Sequence, residues 1–189
     1  MVSFTGKLNR PQAFSGTMQR PLKLPSKKAR ARLESKALWN EARSVGEADF
    51  FTVGYEGRST DELIAALATA GVRTLLDIRY TPLSMYRPEL SKANFQKRIE
   101  HAGMHYVHCP EFGVPKEIRA KAIYSGTRDA IWEWYDSAVV TRFFETNLHW
   151  ILNQEHPIAM MCVEHDPEEC HRHRIFLALE RHGLRGFDL

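Results

Sequence analysis

The sequence predicts an α/β fold: a mostly parallel sheet flanked by helices, Rossmann-like, with a basic N-terminal extension. Three observations lead there. From residue 49 onward, short runs rich in aromatic and β-branched residues alternate with segments of helical apolar period. Two of those helical segments close on a glycine, Gly71 and Gly103, as helices commonly do. The run PIAMMCVE (157–164) is nearly all apolar, which suits a central strand covered on both faces. Strands separated by helical crossovers imply parallel pairing with right-handed connections.

The elements follow in order. Residues 1–48 carry ten Lys/Arg against three Glu, whereas the remainder carries sixteen against twenty acidic groups. Residues 1–29 have little apolar periodicity and read as a loosely docked segment. RARLESKALWNEARSV (30–45) sets Leu33, Ala37, Leu38 and Ala42 at helical spacing, predicting one helix within the extension. FFTVGYE (50–56) is the first strand. STDELIAALATAG (59–71) is a helix with Ser59 as N-cap and Glu62 three residues on, the sequence form of a capping box. RTLLDIRY (73–80) is the second strand, SKANFQKRIEHAG (91–103) the second helix and MHYVHCPE (104–111) the third strand. Residues 128–153 hold one long aromatic-rich helix or two shorter ones, with Trp132, Tyr135, Val139, Phe143 and Leu148 as the stripe. After the fourth strand (157–164), CHRHRIFLALERHG (170–183) closes as a helix. The expected organisation is a basic extension over 1–48 and a single α/β domain over 49–189.

Composition narrows the class. The 189 residues are 43% hydrophobic and 26% charged, the balance of a globular protein in water. No apolar run is long enough for a bilayer, and the N-terminus lacks the apolar core of a signal peptide. Three cysteines without a framework of spacings agree with a reducing compartment. The expectation is a cytoplasmic protein with no membrane partner. The basic arm, with Lys27, Lys28, Arg30 and Arg32 close together, suits a polyanionic partner, nucleic acid or a nucleotide. The same charges also suit a plain solvated extension.

Parallel sheets bind ligands beyond the carboxyl ends of their strands. Glu56, Asp77 with Arg79, Glu111 and Glu164 fall at those ends. The richest stretch is MCVEHDPEECHRHR (161–174), and it admits three readings. Cys162, His165, Cys170, His171 and His173 are all possible metal ligands, but structural zinc sites usually pair ligands two to four residues apart. Cys162 and Cys170 are eight apart and the chain has no CxxC, so no metal and no organic cofactor are expected. Cys170, near a helix N-terminus and beside His171 and Arg172, has the setting of a reactive thiol, though inert buried cysteines are common. The third reading is an acid–base site: Glu164 leaves a strand, and His171 and Arg172 open a helix whose N-terminus favours anions. Against it stands the plainer possibility that Glu164–Arg172 and Asp77–Arg79 are structural ion pairs. His105 and His108 read as satisfied structural groups, and Tyr80, Tyr86 and Tyr124 as packing or base-stacking aromatics. No GxxxxGK[ST], GxGxxG, GxSxG or HExxH motif is present.

Four stretches, TVGYEGRSTDELIAAL, LLDIRYTPLS, YVHCPEFGVPKEIR and MCVEHDPEECHRHR, resemble the signatures of the domain-of-unknown-function family 488 over about residues 50–183. The Cys–x–Glu followed by Cys–His–Arg is the most specific of them. The resemblance implies a compact α/β domain with a polar cluster built from these motifs, and it assigns no reaction. Met85 and Tyr86 follow Ser84 where members of the family often place a basic residue, which counts against a phosphate contact there.

The favoured expectation is an enzyme acting on nucleic acid or a nucleotide by metal-independent hydrolysis of a base–sugar N-glycosidic bond. A fixed carboxylate would stabilise the oxocarbenium-like sugar. Glu164, Asp77 and Glu56 are the expected catalytic carboxylates. Arg79, Ser84, His171, Arg172 and Tyr55 are the expected substrate and phosphate contacts. Two other classes remain open: a non-catalytic nucleic-acid-binding module, and a thiol- or metal-centred protein using Cys162 and Cys170.

Overall fold

A computed structural model describes residues 48–189. The expected helix at 30–45 and the cationic cluster Lys27, Lys28, Arg30 and Arg32 lie outside the described residues. Five strands form one all-parallel sheet: β1 (Phe50–Gly54), β2 (Thr74–Asp77), β3 (His105–His108), β4 (Ile158–Cys162) and β5 (Gly186–Asp188). Their spatial order is β3-β2-β4-β1-β5. The chain runs outward from β1 through β2 to β3. It then returns to insert β4 between β2 and β1, pairing Gly54 with Cys162 and Asp77 with Met161.

The helices are α1 (Thr60–Thr69), α2 (Lys92–His101), α3 (Lys116–Ser125), α4 (Asp129–Trp134), α5 (Glu145–Leu152) and α6 (Arg172–Arg181). A wide, π-helical stretch, Tyr135–Phe144, joins α4 to α5. The aromatic-rich region is thus one continuous helical rod with a loosened middle. The capping box forms as the sequence predicts. Glu62 N–H donates to Ser59 Oγ at 3.2 Å, and Ser59 N–H donates to Glu62 Oε2 at 2.7 Å.

Period-two alternation divides the sheet into two packed faces. Phe51, Val53, Leu75, Ala159 and Met161 pack with Leu63 and Leu67 of α1 and with Phe95 and Ile99 of α2. Phe50, Leu76, Ile158, Met160 and Cys162 face the other way, onto Tyr135, Val139, Phe144 and Ile151, and onto Ile175, Phe176 and Leu179 of α6. This two-sided cover is why β4 reads as an unbroken apolar run.

Two elements differ from the expectation. The strands are shorter than the sequence suggests, because side chains end them. Asp77 Oδ1 accepts the Arg79 backbone N–H at 3.1 Å, and β2 ends at Asp77, three residues before residue 80. The structure also adds α3 and the edge strand β5, both absent from the periodicity analysis. Among the described residues no helix is long and apolar enough to cross a membrane.

Candidate active site

The site grows from the loop between β4 and α6. β4 delivers Cys162 at its carboxyl end, and the chain leaves past Glu164. Gly54, opposite on β1, allows this exit: a Cβ there would stand 1.8 Å from the Glu164 carbonyl oxygen. Arg172, in the first turn of α6, is 1% exposed and reaches back beneath the loop. Its guanidinium donates to the carbonyls of Glu164 and, at 2.9 Å, His165. Glu56 accepts the His165 N–H at 3.1 Å, and Asp166 accepts the Glu168 N–H at 3.0 Å. With its backbone groups tied down in this way, the loop folds Cys170 and His171 back under the end of β4.

The result is a tight cluster. One ligand atom from each of Cys162, Cys170 and His171 lies within 4.8 Å of the others. His171 Nδ1 is 3.8 Å from Cys162 Sγ and 3.9 Å from Cys170 Sγ. Its Nε2 lies 3.4 Å from the Ile78 carbonyl, and its ring rests against Tyr135 at 5.2 Å between centroids. The Cys162 thiol donates to Glu164 Oε2 at 3.4 Å. All three cysteines of the chain are free thiols.

Burial and neighbours sort these groups. Burial pushes the Cys162 thiol well up, helped by Cys170 and the Glu164 charge. Burial alone would do the same to Cys170. The hydrogen bond from Cys162, the His171 contact and charge, and the Arg172 charge outweigh it and pull Cys170 well below the usual thiol range. The Arg172 backbone N–H adds a donor to Cys170 Sγ at 3.5 Å. Burial, then Cys170, raises the Glu164 carboxyl. Cys109, just after β3, is pushed up to about 12 by burial and the Glu111 and Asp77 charges.

Above the cluster lies a cleft of about 530 Å³, within the range of small-molecule sites. Tyr55 after β1, Arg79 after β2, and Cys162 and Glu164 at the end of β4 line it, with His171; α4 contributes Trp132. It therefore sits at the carboxyl ends of the strands where the chain order reverses. Arg119 and Arg128 stand at its wall, Arg128 paired with Glu169 at 3.2 Å.

Of the residues singled out from sequence, Glu164, Arg79, His171 and Tyr55 meet in this cleft. The others lie elsewhere. Asp77 is fully buried: Arg79 Nε donates to it at 2.8 Å, Arg79 Nη2 at 2.5 Å and the Tyr106 hydroxyl at 2.5 Å. It holds Arg79, whose guanidinium stands 5.4 Å from the Tyr55 ring centre. Glu56 is exposed and occupied with the His165 N–H. Arg172 lies under the loop, outside the cleft lining. Ser84 caps its own loop, accepting the Arg87 N–H at 3.1 Å. Arg119 and Arg128 went unnoticed in the sequence, and Trp132 was read as part of a helical stripe rather than of the cleft, because only the fold brings α3 and α4 over the strand ends.

A family profile described as domain of unknown function DUF488 matches residues 59–179. The chain belongs to the DUF488 family. The matched span contains every member of the cluster and both Asp77 and Arg79, whereas Tyr55 and Glu56 precede it. Comparison with curated proteins and with solved structures finds no match for this DUF488 chain.

Proposed function

We propose that the cleft is the active site of an enzyme whose reacting groups are the Cys162–Cys170–His171 cluster and Glu164. The observation that carries this reading is the meeting of a two-cysteine, one-histidine cluster with a half-buried carboxylate at the floor of a cleft on the strand ends. Perturbed titratable groups packed together in a concave site make it a candidate for chemistry. Glu164 is placed to accept a proton, since its carboxylate already takes a hydrogen bond from the Cys162 thiol. Arg79, fixed by Asp77, aims a donor group at acceptor atoms of the substrate. Tyr55 and Trp132 supply flat faces for an unsaturated ring. A nucleoside or nucleotide has both features, so this substrate class suits the lining.

Hydrolysis of a base–sugar bond by paired strand-end carboxylates draws less support. Asp77 has its oxygens occupied and Glu56 sits outside the cleft lining, which leaves Glu164 without a second carboxylate from that set. The test is a turnover screen of nucleosides, nucleotides and DNA, with products followed by mass spectrometry and each hit repeated on Glu164→Gln and Cys162→Ser. Both variants should lose at least about 100-fold in kcat, the scale of a positioned acid–base group. A substrate processed by both variants at the wild-type rate would remove these residues from the chemistry.

A further inference from the structure

We infer that Cys162, Cys170 and His171 bind one zinc ion whose fourth coordination position opens into the cleft. The inference rests on the proposed active site and names the cofactor that site takes. Zinc is held by thiolate sulfur at about 2.3 Å and imidazole nitrogen at about 2.0–2.1 Å. At tetrahedral angles those bonds place sulfur about 3.6 Å from nitrogen and about 3.8 Å from the second sulfur. The structure has Nδ1 of His171 at 3.8 and 3.9 Å from the two sulfurs, and all three ligand atoms within 4.8 Å. Closing each nitrogen–sulfur separation by a few tenths of an ångström, turning the imidazole, and bringing the sulfurs from within 4.8 Å to about 3.8 Å of each other completes the geometry.

The surroundings fit as well as the ligands. A metal-bound histidine usually donates its other ring N–H to a carbonyl or carboxylate, which fixes the tautomer. His171 can do this with Nδ1 as the ligand atom and Nε2, 3.4 Å from the Ile78 carbonyl, as the donor; Cys162 Sγ now stands 3.7 Å from Nε2 and 3.8 Å from Nδ1, so binding turns the ring to aim Nδ1 at both sulfurs. Thiolate with imidazole is a donor set that selects zinc over magnesium or calcium. The Arg172 N–H at Cys170 Sγ stabilises the anionic sulfur from behind. Three protein ligands leave one position for water or a substrate atom, the arrangement of a catalytic rather than a structural site. Cys162, His171 and Glu164 line the cleft while Cys170 does not, so the open position points to the substrate side. The eight-residue spacing between Cys162 and Cys170 is no obstacle, because the tethered loop brings strand end and helix start together.

The experiment uses the full chain, purified under reducing conditions, stripped with a chelator and titrated with zinc or cobalt alone. One equivalent of zinc is expected. Cobalt should give the visible bands of a tetrahedral ion with a thiolate charge-transfer band in the near ultraviolet. Cys170→Ser and His171→Asn should each weaken zinc by at least about 10- to 100-fold, the loss seen when only an outer partner is removed. Cys109→Ser should bind as wild type, and Glu164→Gln should keep its full equivalent, because Glu164 faces the open position. Folded wild-type protein without a tetrahedral cobalt spectrum, or with a Cys162–Cys170 disulfide and no metal, overturns the inference; so does undiminished binding by Cys170→Ser or metal loss in Glu164→Gln. Should Cys170→Ser fail to fold, the wild-type spectrum and His171→Asn decide. If no metal binds while Glu164→Gln still abolishes turnover, the inference fails and the active-site reading stands; metal binding with unchanged turnover means the reverse.

Discussion

Two polar groupings flank the carboxyl ends of β2 and β4, and they are built on opposite terms. On the side facing α1 and α2, Asp77, Arg79 and Tyr106 form a closed set in which the carboxylate oxygens are taken by donors. On the side facing the π-helical stretch and α6, Cys162, Cys170 and His171 bring two sulfurs and a ring nitrogen within 4.8 Å of one another, with the Arg172 N–H at Cys170 and Glu164 at Cys162 as polar neighbours. The first grouping has nothing left to offer a ligand except the edge of Arg79. The contrast teaches that burial and perturbed charge alone do not mark a site; what matters is whether the bonding capacity of the buried groups is satisfied within the fold.

The sharpest way to break the comparison is Asp77→Asn. It keeps the shape of the side chain and removes the charge that offsets Arg79, which is only 5% exposed. Leaving one partner of a buried pair uncompensated costs about 3–5 kcal/mol. Urea unfolding should show a loss of that size. A loss below about 1 kcal/mol is the scale of an exposed pair, and would mean that water reaches Arg79 and that the closed set is open.

A middle-sized effect tests the other side. Gly54→Ala drives a methyl group into the Glu164 carbonyl, so the loop that carries the cluster must shift. Overpacking of this kind costs about 1–3 kcal/mol. Because that loop positions Cys170 and His171, Gly54→Ala should also alter the cobalt spectrum, whereas Asp77→Asn should leave it in form if the chain still folds. Equal disturbance of the spectrum by both variants would show that the two groupings act as one.

How much of this was legible follows the same division. The α/β class and four strands are readable because their signals are local: alternation, capping residues and an unbroken apolar run at 157–164. β5 went unread because it is three residues long and takes its pairing from β1. α3 went unread because Ile123 and Tyr124 are exposed, which blurs its apolar stripe. At the site, Glu164 and Arg79 follow from the rule that strand ends bind ligands, His171 from its place at the start of the next helix, and Tyr55 from its aromatic face. The status of Asp77 could not, since an aspartate two residues before an arginine reads alike as a catalytic carboxylate or as a closed ion pair. The cluster's residues were named as possible ligands but discounted on their spacing: the ligand-spacing rule assumes a local knuckle, and here a strand end and a helix start are joined by a loop whose carbonyls are held from below by Arg172.

The smallest effect bears on how independent the two faces are. Ser59→Ala removes the N-cap of α1, the helix that covers the Asp77 side through Leu63 and Leu67. Loss of such a cap costs about 1 kcal/mol. The capping box also fixes the sign of one pH effect. The hydrogen bonds from the Ser59 backbone and hydroxyl regions hold the Glu62 carboxyl below its ordinary value. Its contribution is therefore present above the ordinary carboxylate range and lost as the pH falls through the lowered value. Stability of both wild type and Ser59→Ala should fall in the acid limb of a thermal-melt series, and a gap between the curves should persist at the lowest pH, because the Ser59 Oγ–Glu62 N–H bond does not titrate and the residue-59 N–H bond to Glu62 is kept in both. If α1 serves only the closed face, metal binding by Ser59→Ala is unchanged at neutral pH. A shift in zinc affinity would show that stability on the Asp77 side is transmitted through β2 and β4 to the thiols, and the two groupings would then have to be treated as one coupled site.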